Sequence, residues 1–206
     1  MRRHEPVLLT FPDFLSPDAC RAEIERAEAI GFAPAPITTG GGFVMMPDVR
    51  NNTRVMRDDT ALAERLFAAL APRLEARGAS LDAASASSSG FRGVHGAEPR
   101  VEGACTRPVG LNERFRYYKY GPTECFRWHH DGSFRRPNGE ASELTFMVYL
   151  NEGFEGGATE FEDCSVQPRA GMAIVFTHRV RHQGAPVVSG TKYVLRSDVM
   201  FRRDAA

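Results

Sequence analysis

The chain has 206 residues, 42% hydrophobic and 25% charged, with 26 Lys plus Arg balanced by 26 Asp plus Glu. That length suffices for one domain burying roughly 70% of the surface its unfolded chain would expose. Zero net charge gives no bulk electrostatic reason to expect nucleic acid or anionic membrane as a partner, and no apolar run approaches the ~20 residues of a membrane-spanning helix.

In chain order, Val7 to Phe11 is a mostly apolar run too short for a secretory signal core, and it reads as a first strand. Ser16-Pro17-Asp18 reads as a helix start: Ser can cap, Pro fits the first turn, and Asp suits the positive helix end. Cys20, Ile24 and Ala27 then share a face at helical spacing, and Gly31 can end the helix. Gly40-Gly41-Gly42 lacks the surroundings of a phosphate-binding loop and reads as a mobile loop. A second helix is expected from about Asp59 to Arg77, with Leu62, Leu66, Leu70 and Leu74 every four residues and Pro72 as a bend. Residues 79–110 are rich in Ala, Ser and Gly and read as a loop, either disordered or a functional lid.

From Arg114 onward the pattern turns to strands. Tyr118 and Tyr120 would share one face, with Phe115 and Tyr117 on the other. Further strands are expected over Phe126–Asp131, Leu144–Leu150, Thr159–Phe161, Ala173–Phe176 and Tyr193–Phe201. The pattern gives a mainly β (α+β) fold, a sandwich or barrel with N-terminal helices behind it. The expected organisation is a single domain over 1–206: a helical support over 1–78, a loop or lid over 79–110, and a β core over 111–206. The cysteines Cys20, Cys105, Cys125 and Cys164 have no paired spacing. They read as reduced packing residues, with the cytoplasm as default location.

The sharpest local feature is Trp128-His129-His130-Asp131-Gly132. On a strand, His129 and Asp131 leave the same face, and one imidazole with one carboxylate makes two-thirds of a facial triad for non-haem iron(II). The third ligand must come from His4, His95, His178 or His182. His182, just after an apolar strand, is best placed, with His178 as the rival. Further on, Lys192, Val194 and Arg196 share a strand face, and a cation fixed in a pocket is what a distal carboxylate requires.

From about Arg114 to Arg202 the chain resembles the prolyl 4-hydroxylase-like 2-oxoglutarate/iron(II) dioxygenases. The resemblance rests on several motifs in order: His129-x-Asp131, Val148-Tyr149-Leu150-Asn151, Gly156-Gly157-Ala158-Thr159-Glu160-Phe161, Pro168-x-Ala170-Gly171, and His182-x-Gly184 with Lys192. Phe14-Leu15-Ser16-Pro17 fits that family's usual entry. The resemblance implies a double-stranded β-helix (jelly-roll) core with supporting N-terminal helices. It implies iron(II) held by His129, Asp131 and His182, and 2-oxoglutarate held through Lys192, with Arg196 as competitor or second support. Tyr120 stands where the family often places a tyrosine that donates to the cosubstrate, and Tyr118 competes for that role. The implied reaction couples oxidative decarboxylation of 2-oxoglutarate by O2 to hydroxylation of an unactivated C–H bond, with ascorbate as the family's helper in restoring idle iron. A carboxylate at the third protein position argues for hydroxylation over halogenation.

The substrate is read as a prolyl or other residue of a protein or peptide, with a free amino acid or small metabolite as the alternative. A catalytically silent binding module on the same fold is the reading from another class. Residues 79–110 and Ser133–Ser142, with Arg135, Arg136 and Pro137, are the expected substrate-facing loops.

Overall fold

The computed structural model describes residues 7–83 and 105–203. The chain opens with β1 (Leu8–Phe11), α1 (Pro17–Ile30), β2 (Ala33–Pro34), β3 (Ile37–Thr39), β4 (Gly42–Val44), β5 (Thr53–Asp58) and α2 (Thr60–Ala83). After it come β6 (Cys105–Leu111), β7 (Arg114–Tyr120), β8 (Phe126–His129), β9 (Ala141–Tyr149), β10 (Glu155–Gly156) and β11 (Thr159–Phe161). The last strands are β12 (Ser165–Val166), β13 (Ala173–Thr177), β14 (His182–Gly184), β15 (Val187–Ser189) and β16 (Lys192–Arg203).

The first helix starts as its sequence dictates. Ser16 Oγ accepts from the Ala19 N–H, Pro17 occupies the first turn, and Gly31 at φ 91° ends the helix with its N–H on Ala27 O. Its inner face buries Cys20 and Ala27, and also Glu23, which is only 3% exposed. That acid is held by the Tyr117 hydroxyl at 2.7 Å and by Arg26 at 2.6 Å, so its burial is compensated. The second helix buries Leu62, Leu66 and Leu70 and runs through Pro72 to Ala83, past the expected end at Arg77.

The expected loop over 79–110 is therefore corrected at both ends. Residues 79–83 continue α2, and 105–110 belong to β6, which pairs with β16. The part from 84 to 104 lies outside the described residues.

The larger sheet has the order β1-β13-β9-β16-β7-β5-β2, with β6 also on β16. Three of its strands come from the N-terminal support region: β1 falls on the expected first strand, whereas β2 and β5 lie where only helices and loops were expected. Strand alternation divides its side chains between two cores. Phe115, Tyr117, Phe146, Val148, Val175 and Leu195 face the helices. On the opposite face Tyr118, Tyr120, Met147, Tyr149, Ile174 and Val194 pack with Phe161 from a second sheet, of order β12-β11-β14-β8. Two facing sheets with helices outside the larger one make the double-stranded β-helix that the sequence motifs implied. Among the described residues no helix is long and apolar enough to cross a membrane.

The Pro168-x-Ala170-Gly171 motif has a physical reason. Gly171 stands at φ 78°, where a Cβ would lie 2.1 Å from the Leu15 carbonyl oxygen. The Leu15 N–H donates to Gly171 O at 3.0 Å, so this contact ties the entry of α1 to the start of β13.

Candidate active site

Strand pairing brings the first ligand candidates together: in the β8–β14 register His182 stands directly opposite His129. Asp131 arrives differently from expected. β8 ends at His129, so Asp131 is not on a strand face; its backbone N–H instead donates to His178 O at 3.0 Å. Its carboxylate still turns back onto the imidazoles, with Oδ1 3.8 Å from His129 Nε2 and Oδ2 3.6 Å from His182 Nε2. One ligand atom from each of the three residues lies within 4.8 Å of the other two.

Hydrogen bonding fixes the tautomers. His129 Nδ1 meets Arg127 O at 2.7 Å and His182 Nδ1 meets Val180 O at 2.9 Å. A carbonyl only accepts, so each Nδ1 carries the proton and each Nε2 keeps a free lone pair facing the carboxylate. Burial, reinforced by the His182 imidazole, brings His129 down to about 3, and burial lowers His182 as well. Phe126 stacks on the His129 ring at 3.5 Å between centroids and restrains it.

Burial alone would raise the Asp131 carboxyl, but the Arg196 guanidinium, helped by the Thr145 hydroxyl, outweighs it and holds Asp131 below the usual carboxylate range. Arg196 Nη2 forms an ion pair with Asp131 Oδ1 at 3.0 Å and lies 3.2 Å from Asp198 Oδ1. The second contact lacks the alignment of a hydrogen bond, since that Asp198 oxygen has no hydrogen-bond partner. His178, the rival to His182, has both ring nitrogens engaged: Nδ1 with Thr145 Oγ1 and Nε2 with Ser142 Oγ, each at 2.9 Å. His4 and His95 lie outside the described residues, and His130 is exposed.

A cavity joins this trio to Lys192, with Tyr118, Tyr120 and Thr159 in its wall. The β7–β16 register sets Lys192 opposite Tyr120 and Val194 opposite Tyr118, which places these four on one face. Lys192 is 2% exposed; its Nζ donates to Gly157 O at 2.5 Å and lies 5.2 Å from the Tyr120 ring centre. Burial brings its amine down to about 7. The glycine of the Gly156-Gly157 pair makes room, because a Cβ on Gly157 would meet Lys192 Cδ at 3.1 Å. Lys192 and Arg196 thus differ: the lysine has a carbonyl for company, the arginine two carboxylates. Burial pushes Tyr120 above the usual phenol range. Tyr118 is also buried, yet Arg196 and Arg50 outweigh that burial and lower it.

Some site residues carry no sequence signal. Thr145, whose hydroxyl donates to Asp131 Oδ2 at 2.5 Å, reaches the site only because β9 runs beside β13 and β16. Buried Arg50 lies 4.4 Å over the Phe126 ring that stacks on His129. Of the basic residues expected to face substrate from 133–142, Arg136 is engaged by Glu113 and by Glu140.

The donor set fits a metal ion. Two imidazole lone pairs and an ionised carboxylate, all acceptors, face one another at 3.6 and 3.8 Å with no proton between them. Such a set is repulsive without a cation, and two imidazoles with one carboxylate are the facial triad of non-haem iron(II).

Residues 115–197 match the model of the 2OG-Fe(II) oxygenase superfamily. Over residues 115–197 the chain is thus similar to the iron(II)- and 2-oxoglutarate-dependent dioxygenases, and its fold is that of the prolyl hydroxylases. The viral collagen prolyl hydroxylase of Paramecium Bursaria Chlorella virus-1, in complex with 2OG, is 19% identical with a TM-score of 0.57, over 94% of this chain and 95% of that one. A Pseudomonas putida prolyl-4-hydroxylase is 20% identical with a TM-score of 0.58, over 98% of this chain and 94% of that one. A prolyl hydroxylase from Trichoplax adhaerens, in complex with a hypoxia inducible factor peptide fragment, is 17% identical with a TM-score of 0.55, over 93% of this chain and 82% of that one. Among curated proteins, none matches the chain in sequence. The cofactors of the family are iron(II), 2-oxoglutarate and O2.

Proposed function

We propose that the chain hydroxylates an unactivated C–H bond on a prolyl or other residue of a protein or peptide. In this reading His129, Asp131 and His182 hold iron(II), and Lys192 takes the distal carboxylate of 2-oxoglutarate. The observation that carries it is the convergence of the trio at one end of a cavity whose wall includes a buried lysine with no acidic partner among the described residues. A buried ammonium held by one carbonyl and two aromatic rings is undersatisfied, and a carboxylate would complete it. Arg196 is less available, because Asp131 and Asp198 already neutralise it; it supports the site by holding Asp131.

The bound iron and 2-oxoglutarate supply the oxidising power through oxidative decarboxylation of the cosubstrate by O2. The protein's part is positional. The Nδ1–H bonds to Arg127 O and Val180 O aim both imidazoles, and Thr145 and Arg196 hold the carboxylate. Tyr120, beside Lys192, is suited to donate to the cosubstrate, because burial keeps its hydroxyl protonated. Tyr118 is the weaker donor candidate, because two guanidiniums lower its phenol. Apolar walls from Phe126, Met147 and Val194 keep water from the reacting centre.

A macromolecular substrate is favoured over a free amino acid by the surface beside the site. Phe43, Val44, Met45 and Met46 are exposed at 68%, 43%, 50% and 41% on and after β4. The segment that follows is fastened to the His129 strand by Arg127 N–H on Val49 O at 2.9 Å and Asn51 N–H on Cys125 O at 3.3 Å. A contiguous exposed apolar stretch next to a site suits a peptide chain better than a small polar metabolite. The Trichoplax enzyme of the same fold holds such a peptide fragment. The test offers prolyl peptides and, separately, free amino acids to the iron-loaded enzyme with 2-oxoglutarate. Succinate release coupled to gain of one oxygen atom by a peptide is expected; coupling to free amino acids alone would overturn the peptide reading.

A further inference from the structure

A chain of four hydrogen bonds runs from the backbone of the 133–142 segment to the Asp131 carboxylate. The Phe134 N–H donates to Ser142 Oγ at 2.8 Å; Ser142 Oγ meets His178 Nε2 at 2.9 Å. His178 Nδ1 meets Thr145 Oγ1 at 2.9 Å, and Thr145 Oγ1 donates to Asp131 Oδ2 at 2.5 Å. All three intermediate side chains are buried, at 0% for Ser142, 0% for Thr145 and 3% for His178.

The proton directions follow from the acid end. An ionised carboxylate can only accept, so the single hydroxyl proton of Thr145 points at Asp131. Thr145 Oγ1 must then accept from His178, which puts the proton on Nδ1. Nε2 of the neutral ring accepts from the Ser142 hydroxyl, whose oxygen accepts from Phe134. The main chain of His178 adds two more ties: its carbonyl holds the Asp131 N–H and its N–H is on Glu143 O, both at 3.0 Å. Asp131 lies beyond the last residue of β8, so no strand ladder fixes it.

We infer that His178 is a positioning residue for the metal site: acting through Thr145, it sets the rotation of the Asp131 carboxylate toward the Nε2 atoms of His129 and His182. The inference rests on the reading of Asp131 as a metal ligand. Without the Nδ1–H donor the Thr145 oxygen keeps only the longer bond from Arg196 Nη2 at 3.4 Å, so its hydroxyl is held less tightly on Asp131 Oδ2 and the carboxylate depends chiefly on the Arg196 ion pair on Oδ1. Partners that orient metal ligands in this way typically account for ~10–100-fold in metal affinity.

The test measures binding of Mn(II) and the visible spectrum of the Co(II) form in the full chain, with no cosubstrate or turnover. Thr145→Val and His178→Ala are expected to weaken Mn(II) binding by ~10–100-fold and to shift the Co(II) bands. Thr145→Ser should restore both, since it returns the hydroxyl. His178→Asn should bind better than His178→Ala, since an Asn amide nitrogen falls near the place of Nδ1. Thermal unfolding of each metal-free variant identifies any that fails to fold, and the Thr145 Ser-against-Val comparison decides the matter if a His178 variant does fail. Wild-type metal affinity in folded Thr145→Val, with Asp131→Ala unable to bind, would overturn the positioning role and leave the ligand reading intact. Wild-type affinity in Asp131→Ala would overturn the ligand reading itself, and the inference with it.

Discussion

Replacing Lys192 by Met separates stability from binding, because the structure predicts opposite signs for the two. The amine is 2% exposed, and burial brings it from 10.5 to about 7. At ~1.4 kcal/mol per unit, that shift corresponds to roughly 5 kcal/mol by which a charged Lys192 penalises the metal- and cosubstrate-free fold below about pH 7. Between about pH 7 and pH 10.5 the unfolded chain binds a proton that the folded chain does not, so the penalty shrinks as pH rises. A methionine of similar length keeps the packing against Tyr120 and Tyr149 and carries no charge. Lys192→Met should therefore be more stable than the wild type near pH 6, with the advantage fading toward pH 10.

Binding should move the other way. Loss of a charge-assisted hydrogen bond worth about 1.5–3 kcal/mol predicts 2-oxoglutarate affinity lower by roughly 10- to 150-fold. Wild-type affinity should itself fall as pH rises above about 7, because the amine must then take up a proton to meet the carboxylate. The assay is thermal unfolding with Mn(II) in place of iron, across pH and across 2-oxoglutarate concentration; the cosubstrate stabilises in proportion to RT ln(1 + [L]/Kd). An unchanged 2-oxoglutarate dependence in the variant would refute Lys192 as the carboxylate partner. A variant less stable than the wild type near pH 6 would refute the burial argument.

Arg196→Met should behave differently. It leaves Asp131 without its counter-ion, while Asp198, which is 1% exposed, keeps Arg116 at 3.2 Å. A loss of about 3–5 kcal/mol in unfolding free energy is expected, with metal affinity lowered more than 2-oxoglutarate affinity; a variant with normal stability and only a raised 2-oxoglutarate requirement would favour Arg196 as the carboxylate partner. Gly171→Ala should cost roughly 2–4 kcal/mol, seen as a lower unfolding midpoint, because its Cβ meets the Leu15 carbonyl at a positive φ. Phe146→Ala, which empties a site at 0% exposure beneath Phe14, should cost about 3–5 kcal/mol by denaturant titration while the metal-binding stoichiometry of the folded fraction stays unchanged.

Much of the site could be read from the sequence, because its donors are rare residue types in short motifs, although Asp131 reaches the imidazoles from beyond the end of β8 and not from the strand face the spacing suggested. His129 and His182 meet through cross-strand register, and Lys192, Val194 and Arg196 do share a face. The alternation of Phe115 and Tyr117 against Tyr118 and Tyr120 divides the two cores as expected. What escaped has physical reasons. β5, Thr-Arg-Val-Met-Arg-Asp, lies near the sheet edge with only Val55 buried, so its hydrophobic alternation is weak. β6 contains Pro108 and Gly110, which usually signal a turn, yet it lies off the main path on β16 and tolerates shifts in register. α2 passes Pro72 because the Leu62, Leu66 and Leu70 stripe keeps its packing on the sheet. Glu23 sits on the buried face of α1, where polarity alone would place it outside, because the Tyr117 hydroxyl compensates it from a distant strand. The Ser142–His178–Thr145 chain was hidden for the same reason: its members are adjacent only in the folded sheet.

The central claim, that His129, Asp131 and His182 hold iron(II) with 2-oxoglutarate beside it, meets its most direct test in an anaerobic titration of the metal-free protein with iron(II) and 2-oxoglutarate. A visible charge-transfer band of the chelate should appear in the wild type and be lost in His182→Ala. A folded protein that binds iron(II) yet shows no band, or a band that survives in His182→Ala, would contradict it.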